Sequence, residues 1–118
     1  YAKVFGCNKV PSVDQTKFVF VNDNDSIEIA NFTIKVLYTP GHTDDSVCYI
    51  IDNFFFSGDT LFKNSVGRTD LITGNTFKLG QSLVKIKNLK QDYIIYPGHD
   101  GTTSLSSEKK NNPYLKNN

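Results

Sequence analysis

The chain has 118 residues, a formal net charge of +1 and 38% hydrophobic residues, which allows one domain with a hydrophobic core. The near-neutral charge, without a basic run, gives no electrostatic reason to expect binding to nucleic acid or to an anionic membrane. No stretch approaches the ~20 consecutive apolar residues of a membrane-spanning helix. The first residues lack the pattern of a signal peptide, and without any methionine Tyr1 is not expected to be the natural start.

The two cysteines, Cys7 and Cys48, match no metal-site spacing and no redox pair. Free cysteines are commonly buried, so we expect two reduced thiols in the core of a cytoplasmic protein. The sequence leaves a Cys7–Cys48 disulfide open as the alternative.

The first half of the chain has the pattern of β-strands. Residues 17–21 are a short β-prone run, and residues 25–39 alternate apolar and polar positions as a hairpin with one buried face does. Residues 46–59 predict two further strands. The second of these, FFFS, is apolar over three residues, and we expect it to be buried on both faces. Residues 57–75 are rich in small polar residues and predict a long functional loop.

The second half predicts one long helix, a strand and a short helix. Asn75 or Thr76 can cap the first helix, and the spacing of its apolar positions predicts a buried face. That face carries Leu79, Leu83, Ile86 and Lys90. A strand over residues 92–96 follows, and then a short helix that Asn112, before a proline, would stop. The last three residues, KNN, are expected to fray. The order of elements predicts a mixed α/β or an α+β fold.

Three predicted strands end in residues that can bind a metal. His42 lies in TPGHT, Asp59 in SGDTLF and His99 in YPGHDG, and the chain has no other histidine. Pro-Gly before each histidine predicts a tight turn, and loops at the ends of rigid strands commonly carry active sites. Two imidazoles and a carboxylate suit zinc, manganese or iron. One histidine in a turn is more often solvated or a cap, but two in identical turns favour a metal site.

The motifs TPGHT, FSGDTLF, GRTDL and YPGHDG, followed by EKKNNPYL, resemble in this order the later half of the metallo-β-lactamase superfamily. The resemblance is closest to its single-domain, glyoxalase II-like hydrolases and covers about residues 32–115. It implies an α/β fold of the αββα sandwich type. The active site would lie between two sheets and hold two metal ions, most often zinc, with iron or manganese as alternatives.

The resemblance also implies roles for individual residues. His42 matches the third histidine of the first metal site, His99 the late histidine of the second, and Asp59 the catalytic carboxylate that bridges both metals. A metal-bound hydroxide would attack a thioester, ester or lactone carbonyl. Arg68 would bind the carboxylate of the substrate through two parallel hydrogen bonds. An Arg68–Asp70 ion pair that only holds the loop together is the alternative.

One signature of the family is absent, since no histidine precedes His42 and the early His-x-His-x-Asp-His motif is missing. We therefore expect residues 1–118 to be a partial domain, the later half of the fold. With Asp59 shared, each metal would have two ligands where catalytic zinc has three and a water. The chain alone is expected to be nearly inactive. Its uncovered sheet face would pair with the missing half or with a second copy.

Three functions remain open at this point. The first is a metal-dependent hydrolase of thioesters such as acylglutathione. The second is a mononuclear-iron dioxygenase acting on glutathione persulfide, a branch that shares GRTD, the late HD and the E…NP tail. The third is a non-catalytic binding or vestigial domain. Bound metal discriminates between them, as two zinc ions, one iron ion or none. A true β-lactamase is disfavoured because zinc β-lactamases have Cys where Asp59 stands.

Overall fold

The computed structural model describes residues 21–116, which form eight strands and three helices. The strands are β1 (Ser26–Ile29), β2 (Phe32–Tyr38), β3 (Val47–Ile51), β4 (Phe54–Gly58), β5 (Leu61–Phe62), β6 (Ser65–Val66), β7 (Ile94–Pro97) and β8 (Thr103–Ser104). The helices are α1 (Thr76–Lys87), α2 (Leu105–Asn111) and α3 (Pro113–Lys116). Apart from Val21 and Lys116, the strand predicted at 17–21 and the frayed tail lie outside the described residues.

Six strands form one sheet in the order β1-β2-β3-β4-β7-β8. Strands β1 to β4 pair as successive antiparallel hairpins, which confirms the hairpins predicted at 25–39 and 46–59. Their tight turns contain Ala30 and Asp52, with φ of +55° and +53°. Strand β7 pairs with β4 in parallel, which a hairpin cannot achieve, and α1 lies in the crossover between them.

The helices pack against one face of the sheet and form the hydrophobic core with it. The buried core residues are Leu37, Cys48, Ile50, Phe55, Leu61, Leu79, Leu83, Ile86, Ile95, Leu105 and Leu115. A mixed sheet covered by helices confirms the predicted α/β class. Within residues 21–116 no helix is both long enough and apolar enough to cross a bilayer.

Helix α1 begins where the sequence predicts. The side chain of Asn75 accepts a hydrogen bond of 2.9 Å from the backbone N–H of Lys78 and caps the first turn. Three of the four residues of the predicted face, Leu79, Leu83 and Ile86, are buried. The fourth residue, Lys90, lies beyond the end of the helix and is exposed, so the prediction that it belongs to this face was wrong.

Strand β4 corrects a second prediction, since it is not buried on both faces. Phe55 and Ser57 are buried, but Phe56 is 39% exposed. Successive side chains of a strand point to opposite faces, and the helices cover only one of them. On the other face, Phe56 stacks on Tyr96 of β7 with 5.5 Å between ring centroids.

That second face of the sheet is apolar over several strands. Cross-strand pairs place aromatic and branched side chains beside one another on it, at Ile29 and Phe32 as well as at Phe54 and Ile94. The exposed large apolar residues of these strands are Ile29, Phe32, Phe56, Ile94 and Tyr96. Contiguous apolar surface of this kind is typical of an interface.

The loop predicted over residues 57–75 contains the two-stranded hairpin β5–β6, which the sequence did not reveal. Asn112, fully buried after α2, holds this hairpin. Its Nδ2 group donates to the carbonyl oxygens of Phe62 at 3.3 Å and Ser65 at 3.1 Å, and to Glu108 Oε1 at 2.9 Å. The hairpin is therefore fixed by side chains more than forty residues later in the chain.

Glu108 is a fully buried carboxylate whose two oxygens are both paired. Besides Asn112, Oε1 accepts from the backbone N–H of Asn64 at 2.8 Å, and Oε2 accepts from the Thr103 hydroxyl at 2.7 Å. A buried charge is tolerated when its hydrogen bonds are satisfied. Glu108 and Asn112 thus stabilise the β5–β6 hairpin, and these hydrogen bonds do not involve the strand ends that carry the histidines.

We predict that Glu108→Ala lowers the free energy of unfolding by about 2–4 kcal/mol, because each buried donor left unsatisfied costs about 1–3 kcal/mol. Glu108→Gln keeps the shape and one acceptor oxygen, so it should cost clearly less. Urea denaturation followed by circular dichroism measures both values. Equal losses for the two variants would show that the hydrogen bonds to Glu108 do not hold the hairpin.

Cys48 is a free thiol and is fully buried in the core. Its sulfur lies 3.2 Å from the Thr39 hydroxyl and donates to the carbonyl of Ser57 at 3.7 Å. Burial raises the pKa of this thiol to about 11, and hydrogen bonds from Thr39 and Thr60 offset only part of the effect. The other cysteine, Cys7, lies outside the described residues.

This shift of the Cys48 pKa predicts a loss of stability at high pH. The thiol has an ordinary pKa of 9.0 and a pKa of about 11 in the folded protein, so the unfolded chain releases the proton first. The free energy of unfolding should then fall by about 1.4 kcal/mol per pH unit between these values, with no contribution below them. Denaturant titrations from about pH 8 to pH 10.5 measure this slope. The free energy of unfolding of Cys48→Ala should fall less steeply with pH, because this variant lacks the thiol, and equal slopes for the two proteins would contradict the prediction.

Candidate metal centre

Asp59 and His99 meet because their strands run parallel. Asp59 follows β4 directly, and His99 comes two residues after β7. The backbone N–H of Gly98 donates to the carbonyl of Gly58 at 2.7 Å, which continues the pairing past the strand ends. His99 Nε2 lies 3.1 Å from Asp59 Oδ1. The carboxyl ends of adjacent parallel strands share one sheet edge, where α/β proteins place their sites.

His42 reaches the same carboxylate from the loop after β2. Two hydrogen bonds tie this loop to α1: the backbone N–H of Asn75 donates to the Gly41 carbonyl at 2.8 Å, and the Ser82 hydroxyl donates to the Pro40 carbonyl at 2.6 Å. His42 Nε2 lies 3.6 Å from Asp59 Oδ2. Asp59 therefore faces one imidazole with each of its two oxygens.

The backbone of Arg68 sets the orientation of His42. The Nδ1 atom of His42 lies 2.8 Å from the Arg68 carbonyl oxygen, and because a carbonyl only accepts, Nδ1 carries the hydrogen. In the neutral imidazole Nε2 then directs its lone pair towards the Asp59 carboxylate, an arrangement that favours a cation between them. Sequence patterns give no signal for this partner, since every residue has a carbonyl.

The distance between each Asp59 oxygen and the imidazole nitrogen that faces it fits two ligands of one metal ion. Nitrogen and oxygen ligands of one tetrahedral zinc ion lie roughly 3.3 Å apart, given metal–ligand distances of ~2.0–2.2 Å. The contacts of Asp59 with His99 at 3.1 Å and with His42 at 3.6 Å bracket this separation. Each pair supplies only two ligands, however. Across residues 21–116 no group of three or more His, Cys, Asp or Glu side chains is arranged to hold one metal ion.

The candidate metal centre opens into a cavity of about 510 Å³, the size of a small-molecule site. The lining residues are His42, Asp59, Phe62, Ser65, Val66, Gly67, Arg68, His99 and Asp100. All four residues predicted for the site thus lie around one space, although their roles stay predictions. Phe62 packs edge-on against the His99 ring at 5.5 Å between centroids. The sequence did not single out Phe62 or Ser65, because their hairpin has no clear strand pattern.

The guanidinium of Arg68 is paired within the loop. Its Nε atom lies 2.5 Å from Asp70 Oδ1, and its Nη2 atom lies 2.8 Å from Asp70 Oδ2. The alternative that the sequence left open for Arg68, an ion pair with Asp70, is therefore present. Arg68 also lines the cavity, so this pair does not remove it from the candidate site.

Two glycines allow the backbone to pass close to the candidate metal centre. A Cβ atom on Gly67 would lie 1.7 Å from the carbonyl oxygen of Asp59 and 3.2 Å from His42 Nδ1. A Cβ atom on Gly98 would lie 2.8 Å from Asp59 Oδ1. Any larger residue would force the backbone of Asp59 or its carboxylate to move.

Comparison with known families accounts for this fold. A sequence model of the metallo-β-lactamase superfamily matches residues 9–99, a range that includes His42, Asp59 and His99. The chain belongs to the metallo-β-lactamase superfamily, which confirms the resemblance read from its motifs.

Individual relatives agree with this assignment. ETHE1 from Myxococcus xanthus superposes with a TM-score of 0.76 at 39% identity, covering 80% of this chain and 44% of its own. TTHA1623 in a di-iron-bound form gives a TM-score of 0.72 at 32% identity, covering 82% and 48%. The hydroxyacylglutathione hydrolase of Francisella philomiragia is 39% identical over 84 residues, 70% of this chain and 33% of the relative. The chain spans about half the length of these proteins or less.

We predict that Gly67→Ala lowers the free energy of unfolding by about 1–3 kcal/mol or more, since the new methyl group would overlap the Asp59 carbonyl. Gly80→Ala is the matched control. Gly80 lies inside α1, and a Cβ atom there meets nothing within 4 Å. Because Gly is unfavourable in a helix, this control should gain about 0.5–1 kcal/mol. Thermal unfolding of both variants measures the difference, and equal shifts would contradict the close approach at Gly67.

Proposed function

We propose that the protein is a metal-dependent hydrolase of thioesters, of the hydroxyacylglutathione hydrolase kind, with zinc as its metal. The observation that supports this most strongly is the placement of Asp59 between two imidazoles, one facing each carboxylate oxygen. A carboxylate in this position suits two cations. The similarity to the Francisella philomiragia hydroxyacylglutathione hydrolase supports the choice of substrate class.

In this proposal His42 and Asp59 hold one metal ion, and His99 and Asp59 hold the other. Two zinc ions supply a hydroxide at neutral pH and an electrophile for the carbonyl oxygen. The Arg68 carbonyl fixes the hydrogen on His42 Nδ1 and so keeps Nε2 free for ligation. Arg68 binds the carboxylate of the substrate, and Phe62 limits the movement of the His99 ring.

The remaining ligands must come from outside the described residues, because each metal has two protein ligands here and catalytic zinc normally has three. We propose that the earlier half of a longer fold supplies them and covers the apolar sheet face that carries Phe56 and Tyr96. The similarity of this chain to about half the length of its relatives supports this arrangement. A second copy of the chain, paired through the same face, is the alternative.

A second function deserves a test because ETHE1 from Myxococcus xanthus is 39% identical to this chain. A mononuclear-iron dioxygenase acting on glutathione persulfide would use the metal site of His42 and Asp59 alone. His99 would then be dispensable for metal binding, whereas the two-metal hydrolase needs it. A vestigial domain would need none of the three.

The test measures metal content, oligomeric state and hydrolysis together. We expect zinc to bind to the wild-type chain, and Asp59→Ala to weaken its affinity at least tenfold, because both sites lose a ligand. Asp52→Asn, the matched control, removes the same charge at a surface turn whose positive φ asparagine tolerates, and should leave zinc affinity unchanged. Native mass spectrometry with elemental analysis reports these values.

Hydrolysis of lactoylglutathione measures activity in each assembly that native mass spectrometry detects. Activity that requires zinc and both His42 and His99 supports the hydrolase. One iron per chain, unaffected by His99→Ala, would replace the hydrolase by the dioxygenase. Zinc affinity equal in Asp59→Ala and Asp52→Asn would contradict both and leave the vestigial domain.

A further inference from the structure

Arg68 is the only arginine in the chain, and two of its guanidinium nitrogens donate to one carboxylate, that of Asp70. The two parallel hydrogen bonds to Asp70 are the fork-to-fork geometry in which arginine recognises carboxylate ligands. Asp70 therefore occupies the position that a substrate carboxylate would take on Arg68.

This ion pair is built so that it can open. The side chains of Arg68 and Asp70 are 65% and 69% exposed. Exposed pairs are weak, because water and salt compete with them. The hydrogen bond to Asp70 raises the pKa of Arg68, and Arg68 in turn lowers the pKa of Asp70, so both partners stay charged and each gains from the contact. A ligand carboxylate of similar geometry can compete on nearly equal terms.

The two residues of the pair differ in their position relative to the cavity, because only one of them lines it. Arg68 lines the cavity, and its carbonyl accepts the hydrogen bond from His42. The close approach of Gly67 to the Asp59 carbonyl fixes the chain just before Arg68. Asp70 is not among the residues that line the cavity. The backbone of Arg68 is thus fixed beside the candidate metal centre, while its guanidinium is bound to a residue that does not line the cavity.

We infer that Asp70 is a built-in competitor for the substrate carboxylate. Without ligand, Asp70 holds the guanidinium of Arg68, and a ligand carboxylate must displace it to bind. Asp70 thereby sets the affinity for carboxylate-bearing substrates and selects those that can form two parallel hydrogen bonds. This inference rests on the proposed function in one respect, that the partner of Arg68 is the carboxylate of a glutathione thioester.

Phenylglyoxal tests the pair directly, because it modifies free guanidinium groups and Arg68 is the only one. The modification rate is followed by mass spectrometry of the peptide that contains residue 68, without metal. Asp70→Asn should be modified about two- to fivefold faster than the wild type, the factor expected for breaking one exposed ion pair. Asp70→Glu keeps a carboxylate and should restore a slow rate.

Asp100→Asn is the matched control for charge. Asp100 lines the same cavity, and its φ of +64° is one that asparagine tolerates. This variant should be modified at close to the wild-type rate. S-methylglutathione, which cannot be hydrolysed, should protect Arg68 in every variant. The concentration of S-methylglutathione that halves the modification rate should be about two- to fivefold lower for Asp70→Asn than for the wild type.

Three results would overturn the inference. Asp70→Asn and Asp100→Asn could react at the same rate, which would mean that Asp70 does not hold the guanidinium. Protection could be unchanged or weaker in Asp70→Asn, which would make Asp70 an aid to binding. Protection could be absent in all variants, so that Arg68 binds no such carboxylate. Failure of the hydrolase itself is distinguishable, since it appears in zinc affinity and thioester hydrolysis, which these rates do not require.

Discussion

The parallel pairing of β4 with β7 is the constraint on which the candidate site depends. Its register shifts between Phe56 and Gly58, and the N–H of Gly98 bonds to the Gly58 carbonyl beyond the last regular pair. A parallel neighbour requires a crossover, so α1 and the loop before it must lie between the two strands in sequence. The same crossover therefore brings Asp59 beside His99 and places the Arg68 loop above them.

Backbone atoms do much of the positioning around this edge. The Arg68 carbonyl orients His42, and Gly67 passes so close to Asp59 that only hydrogen fits between them. As a result, the loop that carries the only guanidinium of the chain is joined to His42 and Asp59 through main-chain contacts. Displacing the Arg68 backbone would disturb His42, so we expect any change in the partner of the guanidinium to involve the side chain alone. This arrangement fixes the Arg68 backbone beside the candidate metal centre and leaves the Arg68 side chain exposed.

The sequence predicts the parts of this structure that rest on local patterns. The alternation around Ala30 gives the first hairpin, the spacing of Leu79 and Leu83 gives α1, and the repeated Pro-Gly-His turns give the two histidines. It fails where the outcome depends on distant residues. The β5–β6 hairpin has two-residue strands held by Glu108 and Asn112, and FFFS looks fully buried although helices cover only one face of its sheet. The sequence could not decide whether Arg68 pairs with Asp70 or stays available for a substrate carboxylate. Nor could it indicate which backbone carbonyl contacts His42.

The described residues have two incomplete features, the ligand sets of the candidate metal sites and the exposed face of the main sheet, and one covering segment could complete both. Each candidate metal site has two protein ligands where catalytic zinc has three, and one face of the main sheet leaves Phe56 and Tyr96 partly exposed. An apolar sheet face is stabilised when another sheet covers it, and a covering sheet also brings loops to the same edge. Polypeptide bound there would remove apolar surface from water and complete the coordination in one step. The binding of metal and the covering of the sheet should therefore be thermodynamically linked, each strengthening the other by the same factor.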